Sequence, residues 1–96
     1  MFRKPLVVCH DAAVHALTVL GFEVTADRPD YLEGVRPRKT NLIWGNPGGE
    51  RVQIWLKPAD EEGTRVIVTT QKAVAGYIGQ KNWDRDVLQQ MSEELR

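Results

Sequence analysis

The segment from Arg51 to Thr70 most constrains the fold, because its alternating pattern predicts two strands joined by a short polar connection. Every second residue of 51–58 is aliphatic, and the alternation returns in 64–70 after the connection 59–63. A period of two predicts half-buried strands, and a short polar connection predicts an antiparallel hairpin. One face of this hairpin carries Val52, Ile54, Leu56, Val66, Val68 and Thr70.

The opposite face of the hairpin carries the large apolar residues Trp55 and Ile67. Because directly opposed residues of an antiparallel pair share a face, two registers fit the pattern. One places Trp55 opposite Arg65, and the other places Trp55 opposite Ile67 but also Lys57 opposite Arg65. We favour the first register, since the second opposes two like charges, and we expect Arg65 to lie against the Trp55 ring.

Helical periodicity flanks the strands at both ends of the chain. Pro5 suits the first position of a helix, and apolar residues recur at helical spacing as far as Leu20. Gly21 is placed to end this helix in a left-handed conformation, with Phe22 folding back against it. Asn82 is placed to cap a second helix, whose apolar stripe comprises Trp83, Val87, Leu88, Met91 and Leu95. We therefore predict helices over 5–20 and 83–95.

Two further strands are predicted between the first helix and the hairpin. Residues 22–26 alternate, 27–30 have the composition of a turn, and 31–36 form the second strand. The inward face of that strand carries either Leu32 and Gly34 or Tyr31 and Val35. Residues 39–45 form either an irregular edge extension or a short fifth strand.

These elements predict an α+β fold in which an antiparallel four-stranded β-meander lies between an N-terminal and a C-terminal helix. A helix of ~16 residues spans ~24 Å, close to the ~26 Å of an eight-residue strand. Both helices can therefore cover one face of the sheet. The other face is left to solvent or to a partner.

Length and composition restrict the classes of function. The 96 residues fit one domain, 1–96, that buries roughly 65% of its unfolded surface. Thirteen basic and thirteen acidic residues cancel, so binding to nucleic acid or a membrane needs a local patch. The single cysteine, Cys9, excludes an internal disulfide. Without a signal or a spanning run, we expect a soluble cytoplasmic chain, or a cell-envelope one if this is a trimmed mature domain.

A family resemblance rests on packing and turn residues spread over most of the chain. They are Asp11-Ala12-Ala13, Ala16-Leu17, Leu20-Gly21-Phe22-Glu23-Val24, Glu33-Gly34 and Gly63-Thr64-Arg65-Val66, before a final amphipathic helix. In this pattern the chain resembles a group of small uncharacterised bacterial domains that are often found in envelope lipoproteins. The resemblance implies a two-helix, antiparallel-sheet domain with a non-enzymatic role, sometimes exported.

Cys9, His10, Asp11 and His15 form the densest cluster of reactive side chains. Asp11 and His15 are four residues apart, so we expect them to form an exposed pair on one helical face. One straight helix cannot converge all four side chains around a tetrahedral zinc ion, and we expect Cys9 to be a buried apolar residue. We therefore predict no catalytic residue, no metal and no cofactor.

Two surface functions remain. The first is protein–protein contact or self-association through the outer sheet face, carried by Trp55, Ile67, Arg65, Tyr31 and Trp44. The alternative is binding of single-stranded nucleic acid or another anion by cations beside the aromatic residues, namely Arg36, Arg38, Lys39, Arg51, Lys57 and Lys81. Lys81 belongs to a loop, 76–82, that leads into the second helix, where backbone amides can hold an anion. Acidic residues interspersed among these cations favour the first function.

Overall fold

The alternating segments form one antiparallel sheet in the computed structural model, which describes residues 2–36, 49–59, 63–71 and 82–96. Within these ranges the elements are α1 (Leu6–Val19), β1 (Glu23–Arg28), β2 (Tyr31–Val35), β3 (Arg51–Pro58), β4 (Thr64–Gln71) and α2 (Asp84–Glu94). The strands lie in the order β1-β2-β3-β4. The predicted α+β meander between two helices is confirmed. The predicted extension or fifth strand, 39–45, lies outside the described residues.

The two faces of the sheet differ as the alternation predicts. On β3, Val52, Ile54 and Leu56 are buried, and the residues between them are half-buried or exposed. On β2, Leu32 and Gly34 face inward, which resolves the ambiguity of that strand. The inward residues share one core with both helices, through Cys9, Ala13, Ala16 and Leu17 of α1 and Val87 and Met91 of α2. Both helices therefore cover the same face.

Strands β3 and β4 pair in the register that we did not favour. Trp55 lies opposite Ile67, and Lys57 lies opposite Arg65. The prediction that Arg65 lies opposite Trp55 is therefore wrong. A cross-strand pair of an aromatic and a β-branched side chain is stabilising, whereas Lys57 and Arg65 are both exposed, so water and salt screen their repulsion.

The turn after α1 has the geometry that Gly21 predicts. Gly21 has a φ of +88°, and its amide donates to the carbonyl oxygen of Thr18 at 3.1 Å. The Phe22 amide donates to the carbonyl oxygen of Leu17 at 2.8 Å. This pair of bonds is the Schellman arrangement, which satisfies the last carbonyls of the helix and turns Phe22 back into the core.

Both helices begin one residue later than predicted. Pro5 has an extended backbone just before α1, and its carbonyl oxygen accepts two hydrogen bonds from amides of the first turn. Trp83 occupies the N-cap position of α2. The side-chain oxygen of Asn82 nevertheless accepts a 2.9 Å hydrogen bond from the Asp84 amide, so it satisfies a helix-end amide from one position further out. No helix within the described ranges is long and apolar enough to span a bilayer.

Gly34 allows α1 to approach the sheet closely. A Cβ atom at this position would lie 3.2 Å from Leu17 Cδ1 and 3.2 Å from Phe22 Cβ. Carbon atoms at their optimal separation lie ~3.5–4.0 Å apart, so the added methyl group would have to displace its neighbours. Because Leu17 and Phe22 flank the turn at Gly21, the absence of a side chain at Gly34 seats the end of α1 on β2.

We expect Gly34→Ala to lower the free energy of unfolding by about 2 kcal/mol, because the methyl group overpacks this contact. Urea unfolding followed by circular dichroism measures the change. Thr69→Ala, on the outer face of β4, serves as the control and should cost less than about 1 kcal/mol. A Gly34→Ala variant as stable as the wild type would show that α1 does not seat on the sheet this closely.

Candidate functional site

Three large side chains form one row across the outer face of the sheet, the face turned away from both helices. Tyr31 lies opposite Trp55, and Trp55 lies opposite Ile67. The rings of Tyr31 and Trp55 are in contact, with their centroids 5.6 Å apart and their planes tilted by 52°. Ile67 is 42% exposed, and the two aromatic residues are half-buried. We call Tyr31, Trp55 and Ile67 the outer apolar row.

Basic side chains border the outer apolar row along one side and at its β1 end. Lys57 and Arg65 form the next cross-strand pair on this face, and Arg28 lies opposite Tyr31 on β1. All three basic residues are exposed. An open depression of about 410 Å³ adjoins the row and is lined by Arg28, Asp30, Tyr31 and Trp55. This end of the outer face therefore carries three cations and the acidic residue Asp30. We call the three cations, Arg28, Lys57 and Arg65, the basic border.

A hydrogen-bonded polar network borders the other side of the row. The Tyr31 hydroxyl donates to Glu33 Oε1 at 2.9 Å and accepts from Gln53 Nε2 at 3.0 Å. Thr25 Oγ1 donates to Glu33 Oε2 at 3.1 Å. The hydrogen bond from Tyr31 holds the pKa of Glu33 below its ordinary value, and burial raises the pKa of Tyr31 above its own. The network therefore keeps Glu33 ionised and the Tyr31 ring in place.

The structure gathers four of the five predicted partner-binding residues. Trp55, Ile67 and Tyr31 form the row itself. Arg65 lies on the basic border, paired across the strands with Lys57 rather than with Trp55. Trp44 lies outside the described residues.

The predicted anion-binding residues do not form one patch within the described part of the chain. The side chain of Arg36 is only 16% exposed and faces the interior. Arg51 is exposed on the outer face, with its Nε 3.9 Å from a carboxylate oxygen of Glu33. Lys57 belongs to the basic border. Arg38, Lys39 and Lys81 lie outside the described residues.

The interior partner of Arg36 is a fully buried carboxylate, Glu50. Glu50 Oε2 lies 3.4 Å from Arg36 Nη1 and accepts a 2.9 Å hydrogen bond from Trp83 Nε1. The Arg36 guanidinium also lies over the Trp83 ring, 5.1 Å from its centroid. A buried charge is stable only when it is paired and hydrogen-bonded, and these contacts supply both to Oε2 of Glu50. The sequence pattern treats Arg36 and Glu50 as surface charges and so misses this cluster.

A second charged cluster lies near the start of α1. His10 Nε2 lies 2.5 Å from Asp27 Oδ1, and His10 Nδ1 lies 3.3 Å from Asp11 Oδ1. The predicted Asp11–His15 pair is wrong, since His15 is hydrogen-bonded to Glu94 of α2. Helical spacing indicates only neighbours on the same helix, whereas both histidines meet carboxylates that the tertiary fold brings to them.

His10 has a pKa above its ordinary value of 6.5. Burial by itself lowers this pKa, but the hydrogen bonds and negative charges of Asp27 and Asp11 raise it further than burial lowers it. A protonated ring donates to both carboxylates, so neither ring nitrogen is left to take a proton from a substrate.

Cys9, the neighbouring nucleophile, is fully buried with its Sγ 3.7 Å from the carbonyl oxygen of Lys4. It is the buried apolar residue that the sequence predicts, and no substrate can reach it in this fold. Within the described residues, no group of three or more His, Cys, Asp or Glu side chains is placed to hold a metal ion.

We expect Glu50→Ala to lower the free energy of unfolding by about 3–5 kcal/mol, because it leaves the Arg36 guanidinium inside without its carboxylate. Chemical unfolding measures the change, and Glu93→Ala on the exposed side of α2 is the matched control. The control should change stability by less than about 0.5 kcal/mol. Equal stability of the two variants would contradict the structural role of the Glu50 cluster.

The His10 contacts should stabilise the fold in a pH-dependent way. Because the folded pKa lies above 6.5, this stabilisation is complete below pH 6.5 and is lost as the pH rises through the folded pKa. We expect the stability advantage of wild type over His10→Gln to be larger at about pH 5.5 than at about pH 8.5, by less than about 1 kcal/mol. Paired urea titrations measure it, and an advantage that grows with pH would contradict the assignment.

No family model, curated protein or solved structure matches the chain. The resemblance to small envelope-lipoprotein domains therefore stays a prediction. The candidate binding surfaces of the described residues are the outer apolar row with its borders and the His10 cluster.

Proposed function

We propose that this chain is a non-enzymatic module that binds another protein, or a second copy of itself, through the outer apolar row. The observation that carries the proposal is the contiguity of the row. Tyr31, Trp55 and Ile67 are direct cross-strand neighbours on three successive strands, on the face opposite both helices. Single exposed apolar residues are common on proteins, whereas a contiguous group bordered by polar residues is typical of a contact surface.

The composition of the row suits an interface. Trp and Tyr are enriched among residues that dominate binding energy, and burying a large apolar side chain contributes about 1.5–3 kcal/mol. The Tyr31 ring is held by its hydrogen bonds to Glu33 and Gln53, and Trp55 rests against that ring. These contacts order both aromatic side chains before binding, which lowers the entropic cost of association.

Contact through the face is favoured over addition of a strand to an edge of the sheet. Strand β4 lies at one edge of the sheet. At its first residue, Thr64, it exchanges backbone hydrogen bonds of 2.9 and 2.8 Å with Phe2. On β1, the pairing register shifts between Val24 and Ala26, which marks a bulge. A paired end and a bulge both hinder strand addition, because each interrupts the series of unpaired backbone N–H and C=O groups to which an added strand would bind.

Single-stranded nucleic acid is the alternative occupant of the same face. One observation supports it, since the Tyr31 and Trp55 rings lie beside the exposed cations Arg28, Lys57 and Arg65. Bases stack on aromatic faces while cations contact phosphates. The 52° tilt between the rings and the ionised Glu33 beside them disfavour a continuous stacking platform, so we place protein binding first.

Substitution of the row should change self-association without unfolding the chain. We expect wild type to dimerise in sedimentation velocity at high micromolar concentration, and Trp55→Ser and Ile67→Thr each to sediment as monomers, because both remove apolar area from the row. Iodide quenching, compared between wild type and Trp55→Phe, reports the exposure of Trp55. It should show Trp55 accessible at low protein concentration and protected at high concentration.

Glu93→Gln, on α2 and away from the outer face, is the control and should dimerise like the wild type. A chain that stays monomeric at every concentration, with Trp55 inaccessible to iodide, would refute the proposal. Quenching of tryptophan fluorescence by an oligothymidylate, weakening steeply with added salt, would favour the nucleic-acid alternative instead.

A further inference from the structure

A groove of about 490 Å³ lies between the first two turns of α1 and the hairpin that joins β1 to β2. Leu6, Val7 and Pro29 supply its apolar lining, and His10, Asp11 and Asp27 supply its polar wall. Among these lining residues, Val7 is 66% exposed to solvent. Small-molecule sites typically have volumes of about 300–1,000 Å³, with a mainly apolar lining and a few convergent polar groups. The groove has these properties.

The start of α1, which forms one wall of the groove, is held by the rest of the fold. Phe2 pairs with Thr64 at the beginning of β4, and Thr64 Oγ1 donates a 2.8 Å hydrogen bond to the carbonyl oxygen of Lys4. The opposite wall is tied to the helix by the contact between His10 and Asp27. Both walls are therefore in place before any ligand arrives, which favours binding.

The polar wall presents acceptors and negative charge to the groove. Both nitrogens of His10 are engaged by carboxylates, so the ring offers a ligand no further polar atom. The side chains of Asp27 and Asp11 are 53% and 78% exposed, and an ionised carboxylate has acceptor sites beyond the one that His10 uses. The two exposed carboxylates outnumber the single imidazole, so the wall carries net negative charge in either protonation state of His10. A ligand complementary to this wall is a hydrogen-bond donor with a positive charge.

We propose that this groove binds a small organic amine with one protonated amino group and a compact apolar body. The body lies against Leu6, Val7 and Pro29, and the ammonium group donates hydrogen bonds to the carboxylates of Asp27 and Asp11. An organic anion is excluded by the carboxylates. A neutral alcohol gains the apolar contact but lacks the charge-assisted hydrogen bonds, which are the stronger kind. The groove lies on the helix side of the sheet, so it is separate from the outer apolar row.

The test compares three probes that share a six-carbon body, namely n-hexylamine, hexan-1-ol and hexanoate at pH 7. Titrations are followed by NMR of the Leu6 and Val7 methyl groups and the His10 ring in the full chain. We expect the protonated hexylamine to bind about tenfold more tightly than hexanol, and hexanoate not to bind. Equal binding of hexanol, any comparable binding of hexanoate, no binding of hexylamine, or shifts confined to other parts of the chain would overturn the proposal.

Variants separate the charge from the apolar contact. Asp27→Asn and Asp11→Asn should each weaken hexylamine binding at least about threefold without affecting hexanol, whereas Val7→Thr should weaken both probes. Glu93→Gln, on α2, is the control and should leave both unchanged. The exposed Asp11→Asn keeps the test valid if Asp27→Asn loosens the helix, and unchanged hexylamine binding in both variants refutes the site. Self-association through the outer apolar row is measured separately, so either proposal can fail alone.

Discussion

Phe22 packs between Gly34 and Trp83, and this contact joins the layers of the fold. A Cβ at Gly34 would lie 3.2 Å from Phe22 Cβ, and the Phe22 ring meets the Trp83 ring edge to face with centroids 5.3 Å apart. Trp83 in turn donates to the buried carboxylate of Glu50. The end of α1, the start of α2, strand β2 and the residue before β3 are therefore held by one continuous set of contacts. Because both helices meet there, they lie on the same side of the sheet.

That one-sided arrangement decides what the other face can do. With both helices on the inner face, the pairing register alone sets which outer side chains become neighbours. The observed register joins Trp55 to Ile67 and Tyr31, and it also opposes Lys57 to Arg65. A shift of two residues would preserve the buried aliphatic face while separating Trp55 from Ile67. The proposed interface thus depends on the register of β3 with β4, whereas the buried core would allow the other register as well.

Local patterns predicted the features that depend on neighbours in sequence. The alternation in 51–58 predicted which side chains of β3 are buried, and Gly21 predicted the left-handed turn that buries Phe22. The stripe from Trp83 to Leu95 predicted the buried side of α2. Patterns of this kind did not predict the contacts of Glu50 and His10, because the partners of these two side chains lie on other elements of the fold. Arg36 is 14 residues from Glu50, and Asp27 is 17 residues from His10.

The sequence by itself determined the identity of the elements, the two faces of each strand and the way α1 ends, since periodicity and a glycine with positive φ act over a few residues. Only the tertiary structure decided the pairing of β3 with β4 and the partner of each charged side chain. The physical reason is that both registers keep the aliphatic residues of the two strands on the inner face, so contacts on the outer face choose between them. Which histidine meets which carboxylate likewise depends on distances that exist only once the helices have packed.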